Sequence, residues 1–314
     1  MRVALVCDAE LDEHKKEMLS SVKNALEKEY EVEVVPFDED FMHRIKGFDI
    51  AFNMATSGGE DSRQVHVPAI LDLMGVPYTA APAMTHAICI DKAVTKSVLI
   101  SHGLGTARFF VVHPGERVPE DHSLDYPLIV KPLHEGSSKG LRKESVVRNL
   151  ESLKNAVKWI HENFKEGALV EEFIEGTEVT VGLLEAEGDV RVLPLLEIDF
   201  SGLPEGVERF YSDRVKNQGL DVYIKYHAPA RLPEKMYRTV EEAAKRAFRI
   251  LGLRDYARMD VRIKEDKYYI LDVNSLPLLV PEYSDITKMA KAAGMSYDDL
   301  VLSIIRSARR RYGI

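Results

Sequence analysis

The sequence predicts a mixed α/β and α+β protein built from two or three units. Its 314 residues exceed the length of one ordinary domain. The chain opens with an apolar run at 2–7, apolar residues at helical spacing over 18–26 and an alternating strand at 31–36, which is a β-α-β beginning. Further along, strands and helices follow in irregular order, which is typical of α+β units.

The remaining elements follow from the spacing of apolar residues and from turn and cap signals. Strands are predicted at 48–53, 106–112, 128–132, 168–174, 178–184 and 191–200, followed by a hairpin over 257–274; helices are predicted at 65–74, 91–102, 150–164, 233–251 and 297–311. Asp91 is placed near the cap of its helix. These elements divide into a doubly wound α/β domain at 1–90, a central α+β domain at 91–186 and a C-terminal α+β domain at 187–314.

Composition restricts the class of protein. Apolar residues make up 45% and charged residues 30% of the chain, and no apolar run is long enough to span a bilayer. A formal charge of -9 disfavours nonspecific nucleic-acid binding, and the basic tail at 306–311 is explained by the helix dipole. Cys7 and Cys89 are far apart and no signal peptide precedes the first strand, so we expect a reduced, cytoplasmic protein that binds neither membrane nor nucleic acid.

The predicted hairpin carries polar side chains on apolar strands. Alternation puts Arg258 on the same face as Asp260, and Asp272 on the same face as Asn274. A three-residue loop centred on Asp266 would set Asp260 opposite Asp272, and we predict this loop rather than a two-residue one. Facing carboxylates require a metal ion or a cationic partner, and carboxylate and amide oxygens are ligands that suit magnesium. From these residues alone, pairing of the aspartates with Arg258 and Arg262 explains them equally well.

A second polar region begins where the 128–132 strand runs into Gly136-Ser137-Ser138-Lys139-Gly140. Such loops can wrap phosphates with backbone N–H groups, and Lys131 and Lys139 would add charge. A simple turn between two strands is the alternative. Over residues 169–178, four glutamates accompany an apolar segment, so they either lie near a purine and ribose or face solvent.

Taken in order, these motifs resemble the ATP-grasp ligases, and within them the D-alanine–D-alanine ligase family. The residues that carry the resemblance are the Lys131-Pro132 strand end, the Glu135-to-Ser138 loop, Glu171-Glu172-Phe173-Ile174-Glu175-Gly176 with Glu178, Arg258-Met259-Asp260, Asp272-Val273-Asn274-Ser275-Leu276-Pro277, Gly59-Glu60-Asp61, Gly75 to Thr79, Asp91-Lys92 and Gly294 to Tyr297. The likeness covers nearly the whole chain, and it implies the ATP-grasp fold, with an N-terminal pre-ATP-grasp domain, and ligation of a carboxylate to an amine through an acyl phosphate.

The resemblance also implies roles for particular residues. ATP would lie between the central and C-terminal units, contacted by Lys92, Lys131, Gly136, Ser138, Glu171, Glu172, Ile174, Glu178 and, from a lid at 210–216, Lys216. Two Mg²⁺ ions, or Mn²⁺ in their place, would be held by Asp260, Asp272 and Asn274. Catalytic roles fall to Arg258 at the oxyanion, Ser137 at the first amino acid, Lys216 at the terminal phosphate and Glu13 at a substrate ammonium. A homodimer is a further expectation from the family.

Departures from the family pattern lie on the amino-acid side. Leu278 replaces a glycine, Tyr283-Ser284 replaces a serine-leucine pair, Asn217 replaces a lid tyrosine, and residues 55–57 lack the family histidine. A leucine at 278 crowds or tilts an N–H donor that a glycine leaves open. We therefore place a related ligase with other amino-acid or carboxylate substrates ahead of a D-alanine–D-alanine ligase itself, and both ahead of a non-catalytic ATP-binding sensor.

Overall fold

The computed structural model describes residues 1–56 and 64–314, without the side chain of Asn217. The Gly59-Glu60-Asp61 motif lies outside the described residues. The strands are β1 (Arg2–Asp8), β2 (Glu31–Phe37), β3 (Ile50–Asn53), β4 (Phe109–Val112), β5 (Leu128–Pro132), β6 (Val146–Val147), β7 (Ala168–Glu172), β8 (Thr177–Ala186), β9 (Asp189–Val192), β10 (Leu196–Asp199), β11 (Lys225–His227), β12 (Tyr256–Lys264) and β13 (Lys267–Asn274). The helices are α1 (Glu13–Leu26), α2 (Phe41–Arg44), α3 (His66–Met74), α4 (Ala83–Ile90), α5 (Lys92–Ser101), α6 (Leu150–Phe164), α7 (Asp213–Asn217), α8 (Glu234–Ile250), α9 (Asp285–Ala292) and α10 (Tyr297–Tyr312).

The N-terminal sheet is parallel, in the order β2-β1-β3, as the β-α-β opening predicted. β1 is buried from Val3 onward because helices cover both of its faces, which explains its continuous apolar run. Asp12 caps α1 by accepting a 2.8 Å hydrogen bond from the Lys15 backbone N–H. The core of this unit continues through α1 into α9 and α10, so the two ends of the chain share one hydrophobic core.

The central sheet is antiparallel, in the order β4-β7-β5-β6, with α6 packed on it. β5 and α6 have the predicted bounds. Asparagine at the N-cap explains where α6 begins, since Asn149 accepts a hydrogen bond from the Ser152 N–H.

The C-terminal sheet runs β11-β10-β8-β12-β13, with β9 paired to β8. β8 therefore belongs to this sheet and not to the central one, and the predicted boundary at residue 186 separates β8 from its partners. The division between the sheets falls between β7 and β8, because β8 hydrogen-bonds to β10 and β12. The predicted strand at 191–200 is two strands, β9 and β10.

The β12–β13 hairpin has the predicted pairing but reaches it differently. Asp260 lies opposite Asp272 and Arg258 opposite Asn274. The predicted three-residue loop is wrong, because Lys264 pairs with Lys267 and leaves two loop residues. The register shifts between Asp260 and Val261, where Leu271 is an extra residue, and this bulge restores the pairing that a two-residue loop alone would lose.

Within the two described ranges, no helix is long and apolar enough to cross a lipid bilayer.

Candidate active site

One face of the C-terminal sheet is lined with ionisable and polar groups across three neighbouring strands. The register pairs Arg262 with Glu178, and Asp260 with both Thr180 and Asp272. The alternate residues of the same strands point the other way, into the core under α8. The alternation of each strand thus separates an apolar core face from a charged cleft face.

Arg258 lies at the centre of this face. Its Nη2 atom is 2.9 Å from Asp260 Oδ2, and its Nη1 atom is 3.6 Å from Asp285 Oδ2. Asp260 also accepts a 2.8 Å hydrogen bond from Thr180. Burial opposes the charge of Arg258, but Asp260 and Asp285 outweigh it and raise the pKa of the guanidinium above its usual value, so Arg258 stays cationic.

The central sheet contributes a buried ion triad. Glu171 on β7 lies between Lys131 on β5, with 2.6 Å between Nζ and Oε1, and Lys96 on α5, with 2.8 Å between Nζ and Oε2. Burial raises the pKa of Glu171, but the two lysines overcome this and hold it below its ordinary value. Burial lowers the pKa of Lys96, whereas for Lys131 Glu171 and Asp272 outweigh burial and raise the pKa. Glu171 is therefore an anion inside the wall of the cleft.

The loop after β5 is tightly constrained at some positions and open at another. Ser137 and Ser138 adopt left-handed backbone, and at Gly140, with φ +77°, a Cβ would lie 2.5 Å from Pro132 Cγ. At Gly136, by contrast, a Cβ would meet nothing within 4 Å. Packing inside the described chain does not require the glycine at 136, which leaves space for a ligand against the backbone.

Two further groups hold this loop. Lys92 Nζ donates to the carbonyls of Leu133 at 3.2 Å and Glu135 at 2.5 Å, and burial lowers its pKa. The His134 imidazole lies 2.7 Å from Glu166 and 3.5 Å from Asp91, and these hydrogen bonds raise the pKa of His134 to about 9. The sequence does not indicate this cluster, because its three members are far apart along the chain.

The predicted lid at 210–216 closes over the same loop. α7 is capped by Ser212, and its Asp213 N–H donates to the Leu141 carbonyl at 2.7 Å. Tyr211 shares a 2.6 Å hydroxyl–hydroxyl hydrogen bond with Tyr226. Burial and the neighbouring Arg258 lower the pKa of Lys216, whereas a bound anion would favour its charged form.

These elements enclose two adjoining clefts. The first lies between the central and C-terminal sheets, and the predicted residues that line it are Lys131, Ser137, Ser138, Glu171, Glu172, Ile174, Glu178, Lys216, Arg258, Asp260, Asp272 and Asn274. The second has a volume of about 920 Å³ and contains Lys92 and Gly136. Ser137, Lys216, Arg258, Asp272 and Asn274 border both clefts.

Glu13 is the predicted site residue that the structure does not bring to either cleft. Its side chain is 90% exposed and pairs with Lys16 at 2.7 Å. Because Asp12 caps α1, the helix begins in a phase that turns Asp12, His14 and Lys15 toward the second cleft and Glu13 away from it.

Two predicted glutamates have partners that the sequence did not indicate. Glu172 does not simply face solvent, since Arg108 Nη2 and Nε lie 2.6 and 2.9 Å from its Oε1. Glu178 is buried and hydrogen-bonded by Arg262, and burial raises its pKa. Arg262, Thr180 and Asp285 also line the first cleft, and none was chosen as a site residue from sequence.

The predicted metal ligands form a small oxygen set. Among the described residues no three His, Cys, Asp or Glu side chains come together in a metal-binding group. Asp260, Asp272 and Asn274 supply two carboxylates and an amide oxygen on paired strands, with Asp260 and Asp272 opposite each other in the register. This donor set fits a Mg²⁺ ion that takes further oxygens from phosphates and water.

Comparison with known proteins identifies the class and then the family. Two structures of D-alanine–D-alanine ligase from Bacillus anthracis, one of them complexed with ATP, align with TM-scores of 0.81 and 0.79 at 24% and 23% identity, over 100% of this chain and 99% of each of theirs. The predicted ATP-grasp fold is confirmed.

The family is shown by sequence. The family model for the D-ala D-ala ligase C-terminus matches residues 98–306. D-alanine–D-alanine ligases from Syntrophotalea carbinolica and Thermotoga maritima are each 34% identical, over 90% and 100% of this chain and 87% and 99% of their own length. The chain belongs to the D-alanine–D-alanine ligase family, and the predicted enzyme class, a ligase that forms carbon–nitrogen bonds, is confirmed.

Proposed function

We propose that this protein uses ATP to join the carboxylate of one small molecule to the amine of another, with an acyl phosphate as intermediate. The observation that carries the proposal is the convergence of Lys131, Lys216 and Arg258 with Asp260 and Asp272 on one cleft. Phosphoryl transfer depends on positioning and charge neutralisation more than on a protein nucleophile, and this cleft offers both. The names of the relatives and the ATP complex of the B. anthracis enzyme support the same chemistry.

The first cleft is the proposed nucleotide site, and its phosphate end would reach the border with the second cleft, where Lys92 and Gly136 lie. Lys92, Lys131 and the backbone at Gly136 and Ser138 would face the phosphates, with Lys216 closing from the lid. The purine would lie by Glu171, Glu172 and Ile174, and the ribose by Glu178. Lys131 and Lys96 both pair with Glu171, with 2.6 Å between Lys131 Nζ and the carboxylate. Lys96 would therefore still neutralise Glu171 when Lys131 turns toward phosphate.

Asp260, Asp272 and Asn274 would hold magnesium, two ions by family expectation, with Mn²⁺ as an alternative. Bound Mg²⁺ would neutralise charge on the phosphate oxygens during transfer. Asp260 would exchange part of its contact with Arg258 for the metal, which leaves the guanidinium available to the substrate.

In the proposed reaction a substrate carboxylate oxygen attacks the γ-phosphorus, and the bond from that phosphorus to the oxygen of ADP breaks. The second substrate's ammonium loses one proton to solvent, and the resulting amine attacks the acyl carbon. A C–N bond forms, the C–O bond to phosphate breaks, and a second proton passes from the nitrogen to the departing phosphate. Arg258 would stabilise the oxyanion, and Ser137 would contact the first substrate. The docked lid would keep water from the acyl phosphate.

The substrates are small carboxylates and amines, and two D-alanines are the first pair to test, since the relatives carry that name. Leu278 and Tyr283 line the second cleft, where they reshape the space for the acceptor. A homodimer and a cytoplasmic location are also part of this proposal; they rest on the family resemblance and on composition.

The test is a screen for ADP and phosphate release with Mg-ATP and D- and L-amino acids, singly and in pairs, followed by mass analysis of products. We expect amide product from at least one pair, and a loss of about 10²-fold or more in Asp260→Asn, because one of the two carboxylates that would hold Mg²⁺ at the phosphates is removed. Asp189→Asn is the matched control: Asp189 also contacts an arginine, Arg249, at 2.8 Å, but on the surface. Binding of Mg-ATP without turnover on any pair would favour the sensor and overturn the proposal.

A further inference from the structure

The second cleft contains a charge pair that the proposed chemistry leaves unused. Asp285 is the first residue of α9 and Lys288 lies one turn later, with 3.3 Å between Oδ1 and Nζ. Their side chains are 13% and 23% exposed, so the pair is largely shielded from bulk water. Residues three apart on a helix lie on one face, and here that face borders the cleft.

The pair has a direction relative to the nucleotide site. Asp285 borders both clefts, whereas Lys288 borders only the second. Lys288 Nζ is also held 4.0 Å from the centre of the Tyr226 ring. The anionic end of the pair therefore points toward the place where the acyl phosphate would form, and the cationic end points away from it.

We propose, on the basis of the proposed function, that Asp285 and Lys288 bind the zwitterionic head of an α-amino acid acceptor, with its ammonium at Asp285 and its carboxylate at Lys288. An α-amino acid carries opposite charges on groups attached to the same carbon, which matches a carboxylate and an ammonium 3.3 Å apart. This orientation turns the acceptor nitrogen toward the acyl carbon.

Arg258 is the less suitable cation for the acceptor carboxylate. The proposed reaction assigns its guanidinium to the oxyanion at the acyl carbon, and Asp285 lies 3.6 Å from its Nη1 atom, so an acceptor carboxylate bound there would compete with that role. Among the described residues, Lys288 forms an ion pair with Asp285, whose charge the acceptor ammonium would share. The pair therefore selects acceptors that carry both charges and disfavours those that lack a free carboxylate.

Two less polar side chains also border the second cleft. Leu278 borders the same cleft, as does Tyr283, whose ring stacks on His14 with 4.3 Å between centroids. The partial burial of Asp285 and Lys288 themselves reduces solvent screening, which strengthens their interaction with a bound zwitterion.

The test compares an amino acid with its carboxamide as acceptor, beginning with D-alanine and D-alaninamide, in the full-length enzyme with Mg-ATP and saturating donor. We expect wild type to prefer the amino acid by about tenfold or more in kcat/KM. Lys288→Met should remove most of this preference by raising the KM for the amino acid, with kcat and the KM for ATP little changed. Asp285→Asn should lower kcat/KM for both acceptors.

Lys291→Met is the matched control, since Lys291 lies on the same helix but is 70% exposed and pairs with Glu282. It should behave as wild type. Equal use of both acceptors by wild type, or an unchanged preference in Lys288→Met, would overturn the inference while leaving the ligase activity intact. Absence of any amide product in wild type would instead overturn the proposed function, and the inference with it.

Discussion

Glu171→Gln tests the physical basis of the nucleotide cleft, because it keeps the shape of the side chain and removes the anion that two buried lysines share. Lys96 and Glu171 are 1% and 2% exposed, and Lys131 Nζ lies 2.6 Å from the carboxylate. Removing one partner of a buried ion pair costs roughly 3–5 kcal/mol, because the remaining charge is left without its counter-ion. We expect a loss of about that size in the free energy of unfolding.

The measurement is urea unfolding followed by fluorescence. The single tryptophan, Trp159, lies on α6 in the central unit and reports on the sheet that carries Glu171. Glu120→Gln is the matched control: Lys154 Nζ is also 2.6 Å from Glu120, but the two side chains are 48% and 72% exposed. Solvent screens that pair, so the control should unfold nearly as wild type does.

The pH dependence gives an independent check. Because the pKa of Glu171 is lowered in the folded protein, its contribution is complete above the unfolded pKa of roughly 4.3 and is lost as the pH falls through the folded value. The difference between wild type and Glu171→Gln should therefore be full at neutral pH and shrink in acid. An effect no larger than that of Glu120→Gln at neutral pH would refute the assignment of a buried, ionised triad.

Three other predictions follow from the site. Leu278→Gly should increase turnover with D-alanine as acceptor, measured by dipeptide formation, by opening the second cleft; ordinary efficiency already in wild type would show that this leucine is not restrictive. Gly136→Ala should leave thermal unfolding unchanged, since a Cβ there meets nothing within 4 Å, but it should weaken ATP binding in calorimetry, because we propose that the phosphates lie against this backbone; unchanged affinity would contradict that placement. His134 has a pKa raised to about 9, so its stabilisation is complete below roughly 6.5 and is lost as the pH rises through about 9. The stability advantage of wild type over His134→Gln should decline across that interval, and a constant difference would exclude a charged His134.

The hairpin shows how far strand alternation could predict the site. The spacing of Arg258, Asp260, Asp272 and Asn274 determines which of them share a face, and the structure pairs them as expected. The loop length was wrong because the bulge at Leu271 compensates for a two-residue turn, and a bulge has no marker in this stretch of apolar residues. The predicted face of these side chains was therefore correct, although the predicted turn was wrong.

The glutamates show a different limit. Sequence could count four of them near an apolar segment, but it could not distinguish Glu171, inside an ion triad, from Glu172, held by Arg108. Their partners come from α5, β5 and the segment before β4, and contacts between distant segments depend on how the sheets pack. The same reason explains why Asp285, Lys288 and His134 were not recognised.

Sequence by itself determined the features that depend on neighbouring residues. These are the positions of periodic strands and helices, the cap at Asp91, the faces of the hairpin side chains and the ordered motifs that identify the family. Tertiary structure decided that β8 joins the C-terminal sheet, that Glu13 faces away from the cleft, and which lysines neutralise Glu171. The physical reason is the distance along the chain over which each effect acts. Backbone geometry acts over a few residues, whereas the burial and pairing of a charge are set by groups that only the folded chain brings together.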